Sequence, residues 1–388
     1  MKRSICFTAT VEIAVKAFLV EYIKAMTLNW DVTVVTTTDN IGFLKPLGID
    51  VPVVPMRIER QISPGRDLIT LFDLYRLFRR ESFDIIHSIT PKAGLLSMIA
   101  GRLTRVPVRI HTFTGQVWAT RRGLMRFILK TADRITARFA THILVDSHSQ
   151  LDFLVREKII SANESHVIGN GSMCGVDLKR FSFDTVARNE IRQRFLIGDY
   201  DIVFLFLGRL TMDKGLLDLA RSFSRLCETR QDAHLIIVGP DEEDLKDRIS
   251  SVCGTCLDRL HFEDYTHTPE KFMAASDIFC LPSYREGFGA VIIEAAAVGI
   301  PSIGTRIYGL TDAIENGVTG FLYEAGNVEE LHAGMIQLIN DPVLRNKLGQ
   351  NAKERAARDF SKDLIVSGML EFYRNISETS QRGITKTR

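Results

Sequence analysis

A chain of 388 residues that is 45% hydrophobic and 25% charged is long enough for two domains of ordinary size, each with its own core. With six cysteines, no secretory signal and no apolar run of about 18 residues, it reads as a cytosolic protein, soluble or surface-attached rather than membrane-spanning. The net charge of +2 hides an asymmetry. Residues 1–180 hold 25 Lys or Arg against 16 Asp or Glu, a balance of +9, which leaves 24 against 31 and −7 for the other 208.

In chain order, short apolar segments alternate with longer helical patterns. The first set is "SICFTA", "DVTVVTT", "VPVVPM", "FDIIHSI", "VPVRIHTF" and "THILVDS"; the second is "DIVFLFLGRL", "AHLIIVG", "LHFED", "DIFCLPS", "IPSIGT" and "TGFLYE". Valine and isoleucine runs followed by turn residues and a helical period mark buried parallel strands in βα repeats. The fold class is therefore α/β, with two doubly wound Rossmann-like domains facing across a cleft. The first is expected over residues 1–178 and the second over 199–360, with the turn-rich "GNGSMCGVDLKRFSF" between them. A helix over 361–376 can pack back on the first domain, and 377–388 read as a disordered tail.

The basic excess is local. From Lys92 to Arg138 ten cations face one acid, Asp133, and Arg122, Arg126, Lys130, Arg134 and Arg138 recur every four positions beside Phe127 and Ile128. Such a helix suits an anionic membrane surface, with an ordinary surface helix as the alternative. No aromatic-basic platform accompanies the charge, so nucleic acid is not an expected partner. "CGTC" (253–256) has redox-like spacing but lies on a polar stretch without a second pair, and it reads as incidental.

Chemistry concentrates in the second half. "FLFLGRLTMDKGLLDLA" is a strand, the turn glycine Gly208, then Arg209 and Lys214 ahead of a helix, a placement suited to a diphosphate leaving group. "REGFGAVIIEAAA" puts Glu286 on a strand-to-helix loop and Glu294 within the following helix, where an ionised carboxylate needs a partner. Phe288 and Gly289 form the loop end, whose backbone amides can approach a sugar or phosphate. Neither a GxGxxG fingerprint after the first strand nor a Walker A sequence is present.

"LGRLTMDKG", "LIIVGPDEED", "ASDIFCLPSYREGFGAVIIEAAAVGIPSI" and "ENGVTGFLY" together resemble the nucleotide-sugar-dependent glycosyltransferases of the two-Rossmann-domain type (GT-B, family 4). The likeness is to the retaining group that builds bacterial polysaccharides and lipid-linked glycans, and it covers nearly the whole chain. The resemblance implies that Glu286 and Glu294 form the E-x7-E pair, Glu286 facing the donor sugar and Glu294 the nucleotide ribose. Arg209 and Lys214 would carry the leaving diphosphate. It also implies a UDP-sugar donor, N-acetylhexosamine first, with no metal or other cofactor required. The acceptor would be a glycan or an undecaprenyl-diphosphate-linked sugar at the cytoplasmic face of the inner membrane.

On the acceptor side the sequence departs from the family. The usual His-Gly pair reads Thr114-Gly115, so His111 is favoured over His87 as the residue touching the donor sugar, with a structural histidine as the alternative. The usual glycine-rich first loop is replaced by "TATVEIAVKAF", which places Lys16 on the acceptor surface. Lys92 opens a helix where a lipid phosphate can bind, and Thr114 borders the same region. A nucleotide-sugar epimerase of the same fold and a non-catalytic sugar-nucleotide-binding protein are the alternative functions.

Overall fold

The computed structural model describes residues 2–385. The chain divides into two compact units. One comprises the residues up to Cys174 together with those from Asp363 onward; the other is Gly175–Lys362.

The first unit is a seven-stranded parallel sheet built from β1 (Arg3–Val11), β2 (Trp30–Thr37), β3 (Val53–Pro55), β4 (Ile85–Ile89), β5 (Val108–Phe113), β6 (His142–Val145) and β7 (Ser165–Val167). Its order is β3-β2-β1-β4-β5-β6-β7, so the direction of winding reverses between β1 and β4. Successive β1 side chains enter opposite cores: Ile5 and Phe7 pack with the helices Glu12–Phe18 and Val20–Met26, whereas Cys6 packs with Pro64–Glu81 and Pro91–Leu103. Burial on both faces explains the unbroken apolar runs in the sequence. The three-residue β7 has no apolar run to announce it.

The final helix, Lys362–Thr385, returns to this unit and places Ile365, Met369, Tyr373 and Ile376 in the same core as Phe7 and Ile110. It ends at Thr385 rather than near 376, and 386–388, the rest of the tail expected to be disordered, lie outside the described residues.

The second unit is a six-stranded parallel sheet of β8 (Ile202–Leu207), β9 (Ala233–Val238), β10 (Leu260–Glu263), β11 (Ile278–Leu281), β12 (Ser302–Thr305) and β13 (Gly320–Tyr323). The order β10-β9-β8-β11-β12-β13 puts its reversal between β8 and β11. The unit begins at Gly175, 27 residues before β8 at Ile202, because the helix Thr185–Arg194 is bolted to it. Asp184 caps that helix through the amides of Val186 (2.8 Å) and Ala187 (3.1 Å). Arg188 then reaches Asp277 at 2.8 Å, and the other Asp277 oxygen accepts from the Val203 amide at 2.8 Å. Among the described residues no helix is long and apolar enough to cross a membrane.

Candidate active site

In an open parallel sheet, ligands collect beyond the carboxyl ends of the strands where the winding reverses. In the second unit those ends are the segments after β8 and β11. Gly208 closes β8, and its amide is already used by the Val238 carbonyl at 2.9 Å, so it offers close approach rather than a donor. Arg209 is half exposed and paired with Glu242 at 2.7 Å. Lys214 follows in a short 3-10 turn, Met212–Lys214. Gly215 comes next with φ 69°, where a Cβ would lie 2.0 Å from the Pro282 carbonyl oxygen, so only glycine lets the two segments meet.

The segment after β11 meets it directly. Glu286 accepts from the Lys214 ammonium at 2.5 Å and from the Ser283 hydroxyl at 2.8 Å. Arg285 donates to Asp213 at 2.5 Å, the Tyr284 amide donates to the Asp213 carbonyl at 2.8 Å, and the Tyr284 hydroxyl donates to Asp218 at 2.6 Å. Ser283 is itself held, its carbonyl accepting from Thr305. Burial pushes the Asp213 carboxyl up, but the hydrogen bond from Thr211 and the charges of Arg285 and Lys214 outweigh it and hold the group below its ordinary value. The Tyr284 hydroxyl is pushed up to about 12 by burial and by its bond to Asp218. Ser283, Arg285, Asp213, Tyr284 and Asp218 were not singled out from the sequence. Their meeting depends on β8 and β11 being neighbours, and no local period signals that.

Gly289, with φ 74°, opens the helix Ala290–Val298, leaving the first amides of that helix without intrahelical partners. Phe288 is only 4% exposed and its ring packs on Phe360 at 5.2 Å, so its side chain belongs to the core and only its backbone faces the loop. Glu294 lies one turn into the helix, partly buried, with no hydrogen-bond or ion-pair partner among the described residues. Burial raises its carboxyl to about 7, partly offset by the charge of Arg180 and reinforced by Glu270. Without a ligand, burial thus disfavours the ionised form.

The first unit treats its expected residues differently. His111 is 1% exposed: its Nδ1 pairs with the Ser88 hydroxyl at 2.9 Å, and its ring meets Phe113 edge-on at 4.5 Å. A Cβ on Gly94 would fall 2.3 Å from the His111 ring, so the helix Pro91–Leu103 is pressed onto it. Burial lowers its pKa to about 3. This corrects the expectation for His111, which is a neutral core histidine with no face left for a sugar. His87 is equally buried, bonded to Thr112 at 2.7 Å and to the Tyr373 hydroxyl.

Lys92 opens the helix Pro91–Leu103, its ammonium held by both Asp67 oxygens, at 2.8 and 3.0 Å, and by the Gln61 carbonyl. Lys16 is 44% exposed and pairs with Glu12 at 2.5 Å beyond the end of β1. Thr114 follows β5, partly buried, its carbonyl accepting from Gln116 at 2.8 Å. The structure brings Lys214 and Glu286 together; among the described residues no hydrogen bond or ion pair joins Lys16, Lys92 and Thr114 into one cluster. No group of three or more potential metal-ligating His, Cys, Asp or Glu side chains occurs among the described residues. Cys253 and Cys256 are buried thiols, and burial pushes the Cys253 thiol up to about 12, which suits packing rather than redox work.

Comparison with known proteins matches this architecture. Residues 187–355 match the glycosyl transferases group 1 family, and residues 17–171 match the glycosyl transferase 4-like domain. The chain is 31% identical over 332 residues to the capsular polysaccharide biosynthesis glycosyltransferase CapM of Staphylococcus aureus, covering 85% of this chain and 86% of that one. It is 28% identical over 320 residues to the UDP-Gal:alpha-D-GlcNAc-diphosphoundecaprenol alpha-1,3-galactosyltransferase of Escherichia coli, covering 81% of each. The crystal structure of HepE from Anabaena in complex with UDP and glucose shares the fold, with a TM-score of 0.81 over 96% of this chain and all of that one at 20% identity. Two Rossmann-like domains with these matches define a glycosyltransferase of the GT-B class. The chain belongs to the glycosyl transferases group 1 family.

Proposed function

We propose that this glycosyltransferase moves a sugar, N-acetylhexosamine first among UDP-sugars, onto a glycan or polyprenyl-diphosphate-linked acceptor in bacterial surface polysaccharide synthesis, with retention at the anomeric carbon. The reaction belongs at the cytoplasmic face of the inner membrane. The observation that carries this reading is the Lys214–Glu286 pair at the β8–β11 reversal. The names of the S. aureus and E. coli relatives support the pathway and the lipid-linked acceptor.

An arriving diphosphate competes with Glu286 for the Lys214 ammonium and with Glu242 for Arg209. Glu286, still anchored by Ser283, is then free to accept from the sugar hydroxyls. The acceptor oxygen bonds to the anomeric carbon on the face from which the diphosphate departs. The carbon–oxygen bond to the phosphate breaks with its electron pair, and that phosphate oxygen takes the acceptor proton. Lys214 and Arg209 gain most as negative charge grows on the leaving group, so they favour the transition state over the bound substrate. Glu294 accepts from the ribose hydroxyls and becomes fully ionised as it does so.

Incubation of a UDP-sugar panel with a polyprenyl-diphosphate sugar tests the assignment. The expected product is one glycosidic bond of unchanged anomeric configuration; inversion, or UDP release with no transfer to any acceptor, refutes it. The reading needs no divalent ion, so a chelator should leave turnover largely intact. Loss of turnover restored by one specific cation overturns that part.

A further inference from the structure

The first unit carries an exposed feature that sugar transfer itself does not use. Its helices Pro64–Glu81 and Gly123–Phe139 flank the helix Pro91–Leu103. Each of the two outer helices turns large apolar side chains to solvent in its first half. On one, Leu68, Ile69 and Phe72 are 68, 64 and 57% exposed; on the other, Leu124 and Phe127 are 73 and 64% exposed. The second half of Pro64–Glu81 behaves normally, with Leu74, Leu77 and Phe78 buried. In a βα unit the first half of the helix lies at the carboxyl edge of the sheet, so both apolar clusters border the edge where Rossmann-type ligands bind. Isolated exposed apolar residues are ordinary on protein surfaces; two clusters on helices of one layer are not.

The exposed charge around them is mostly positive: Asp73 next to Phe72 is an exposed acid, but Arg76 lies over the Phe72 ring at 5.7 Å. Arg60, Arg121 and Arg122 are exposed beside the clusters and have no acidic partner among the described residues. The helix Gly123–Phe139 has one acid, Asp133, which is buried on the Trp118 indole nitrogen at 2.6 Å. The cationic stripe expected from the sequence is, however, divided. Arg126 and Lys130 both turn to Glu157, at 3.0 and 2.5 Å, and lie over the Trp118 ring, so they do not serve an outside partner. Arg122, Arg134 and Arg138 remain exposed.

We infer that these two helix faces together form a docking surface for an anionic lipid bilayer. Leu68, Ile69, Phe72, Leu124 and Phe127 enter the interface between headgroups and acyl chains, and the unpaired arginines meet the phosphates. The inference builds on the lipid-linked acceptor proposed above. It differs from a single basic helix in requiring both helices and in leaving Arg126 and Lys130 out.

Sedimentation with phosphatidylcholine vesicles containing about one third phosphatidylglycerol tests it, with pure phosphatidylcholine as the control. Wild-type protein pellets with the anionic vesicles only, and less in 1 M salt, where screening shortens to about 3 Å. Leu68→Ser with Phe72→Ser, or Leu124→Ser with Phe127→Ser, each weakens partitioning about tenfold, and the four together abolish it. The replaced side chains are exposed, and unchanged circular dichroism confirms folding. Arg126→Gln with Lys130→Gln leaves pelleting unchanged. The inference is overturned if the wild type never pellets, if the fourfold variant pellets like the wild type, or if the wild type is a dimer that the substitutions disperse. Turnover of a detergent-solubilised polyprenyl-diphosphate sugar separates the two claims. Vesicle binding without use of that acceptor defeats the acceptor reading and leaves the docking surface standing.

Discussion

The two sheets join the segments at their carboxyl edges by different contacts. In the second unit the segments after β8 and β11 are tied by charged and hydrogen-bonded pairs, Lys214–Glu286, Arg285–Asp213 and Tyr284–Asp218, each of which also faces solvent to some degree. In the first unit the end of β1 and the segment after β4 meet through neutral hydroxyls, and the charged pairs close by, Lys16–Glu12 and Lys92–Asp67, do not join those two segments. Thr90 accepts from the Thr10 amide at 3.1 Å and pairs with the Thr10 hydroxyl at 2.7 Å, while the nearby histidines are sealed in the core. A charged edge whose partners can be exchanged suits a substrate that arrives with two negative phosphates. A neutral contact such as Thr10–Thr90 suits sugar hydroxyls rather than phosphates.

The largest expected effect breaks the charged edge. Lys214→Ala should lower turnover by about 10² or more at saturating donor, the scale of losing one preorganised transition-state charge partner. A change confined to the donor KM would place Lys214 in ground-state binding instead. Next in size is the opposite claim for the buried histidine of the first unit. His111→Ala should cost about 2–3 kcal/mol of stability by leaving a cavity and an unpaired Ser88 hydroxyl, measurable by urea unfolding, while kcat per folded molecule stays near wild type. A folded His111→Ala protein with a hundredfold lower kcat would restore a catalytic role for that ring.

Asp213→Asn sharpens the comparison within the charged edge. It removes the anchor of Arg285 and an anionic neighbour of Lys214 while leaving the Lys214–Glu286 contact in place, and it should lower kcat about tenfold with little change in melting temperature, because what is lost is alignment. Equal losses in stability and rate would mean that the pair only holds the fold together. The smallest effect is a pH dependence. Glu294 has a carboxyl raised from the ordinary 4.5 to about 7 by burial, so it contributes stability below 4.5 that is lost as pH rises through 7. A nucleotide whose hydroxyls donate to the ionised form binds with proton release. UDP affinity should therefore rise several-fold between about pH 6 and 8, and Glu294→Gln should flatten the profile in a titration calorimeter. An unchanged slope in that variant assigns the proton elsewhere.

Much of this architecture was legible in the sequence, for a physical reason. Parallel strands covered on both faces read as apolar runs, and among the described residues twelve of the thirteen strands follow such runs, with the edge strand β7 the exception. Lys214 and Glu286 were legible because glycine turns after a buried strand mark the ligand side. Their mutual contact was not, since it needs strands that lie far apart in sequence to become neighbours. His111 misled for a related reason. Within a strand buried on both faces, alternation carries no sign of which side chains stay accessible, and the glycine that seals the ring, Gly94, lies in a different element. The position of Thr185–Arg194 was blurred similarly, because Arg188 and Asp277 pair across about ninety residues.

The return of Lys362–Thr385 to the first unit sets an order of events during synthesis. That unit lacks Ile365, Met369 and Tyr373 in its core until 188 further residues, Gly175–Lys362, have been translated. At about 5–20 residues per second this is a wait of roughly 10–40 s for the earlier half, during which the later half can complete its own sheet. The amino-terminal half of a nascent chain is thus the last to be sealed. A released chain ending at Lys362 would hold a finished second unit and a first unit with an open groove along Phe7 and Ile110, the segment a chaperone would be expected to cover.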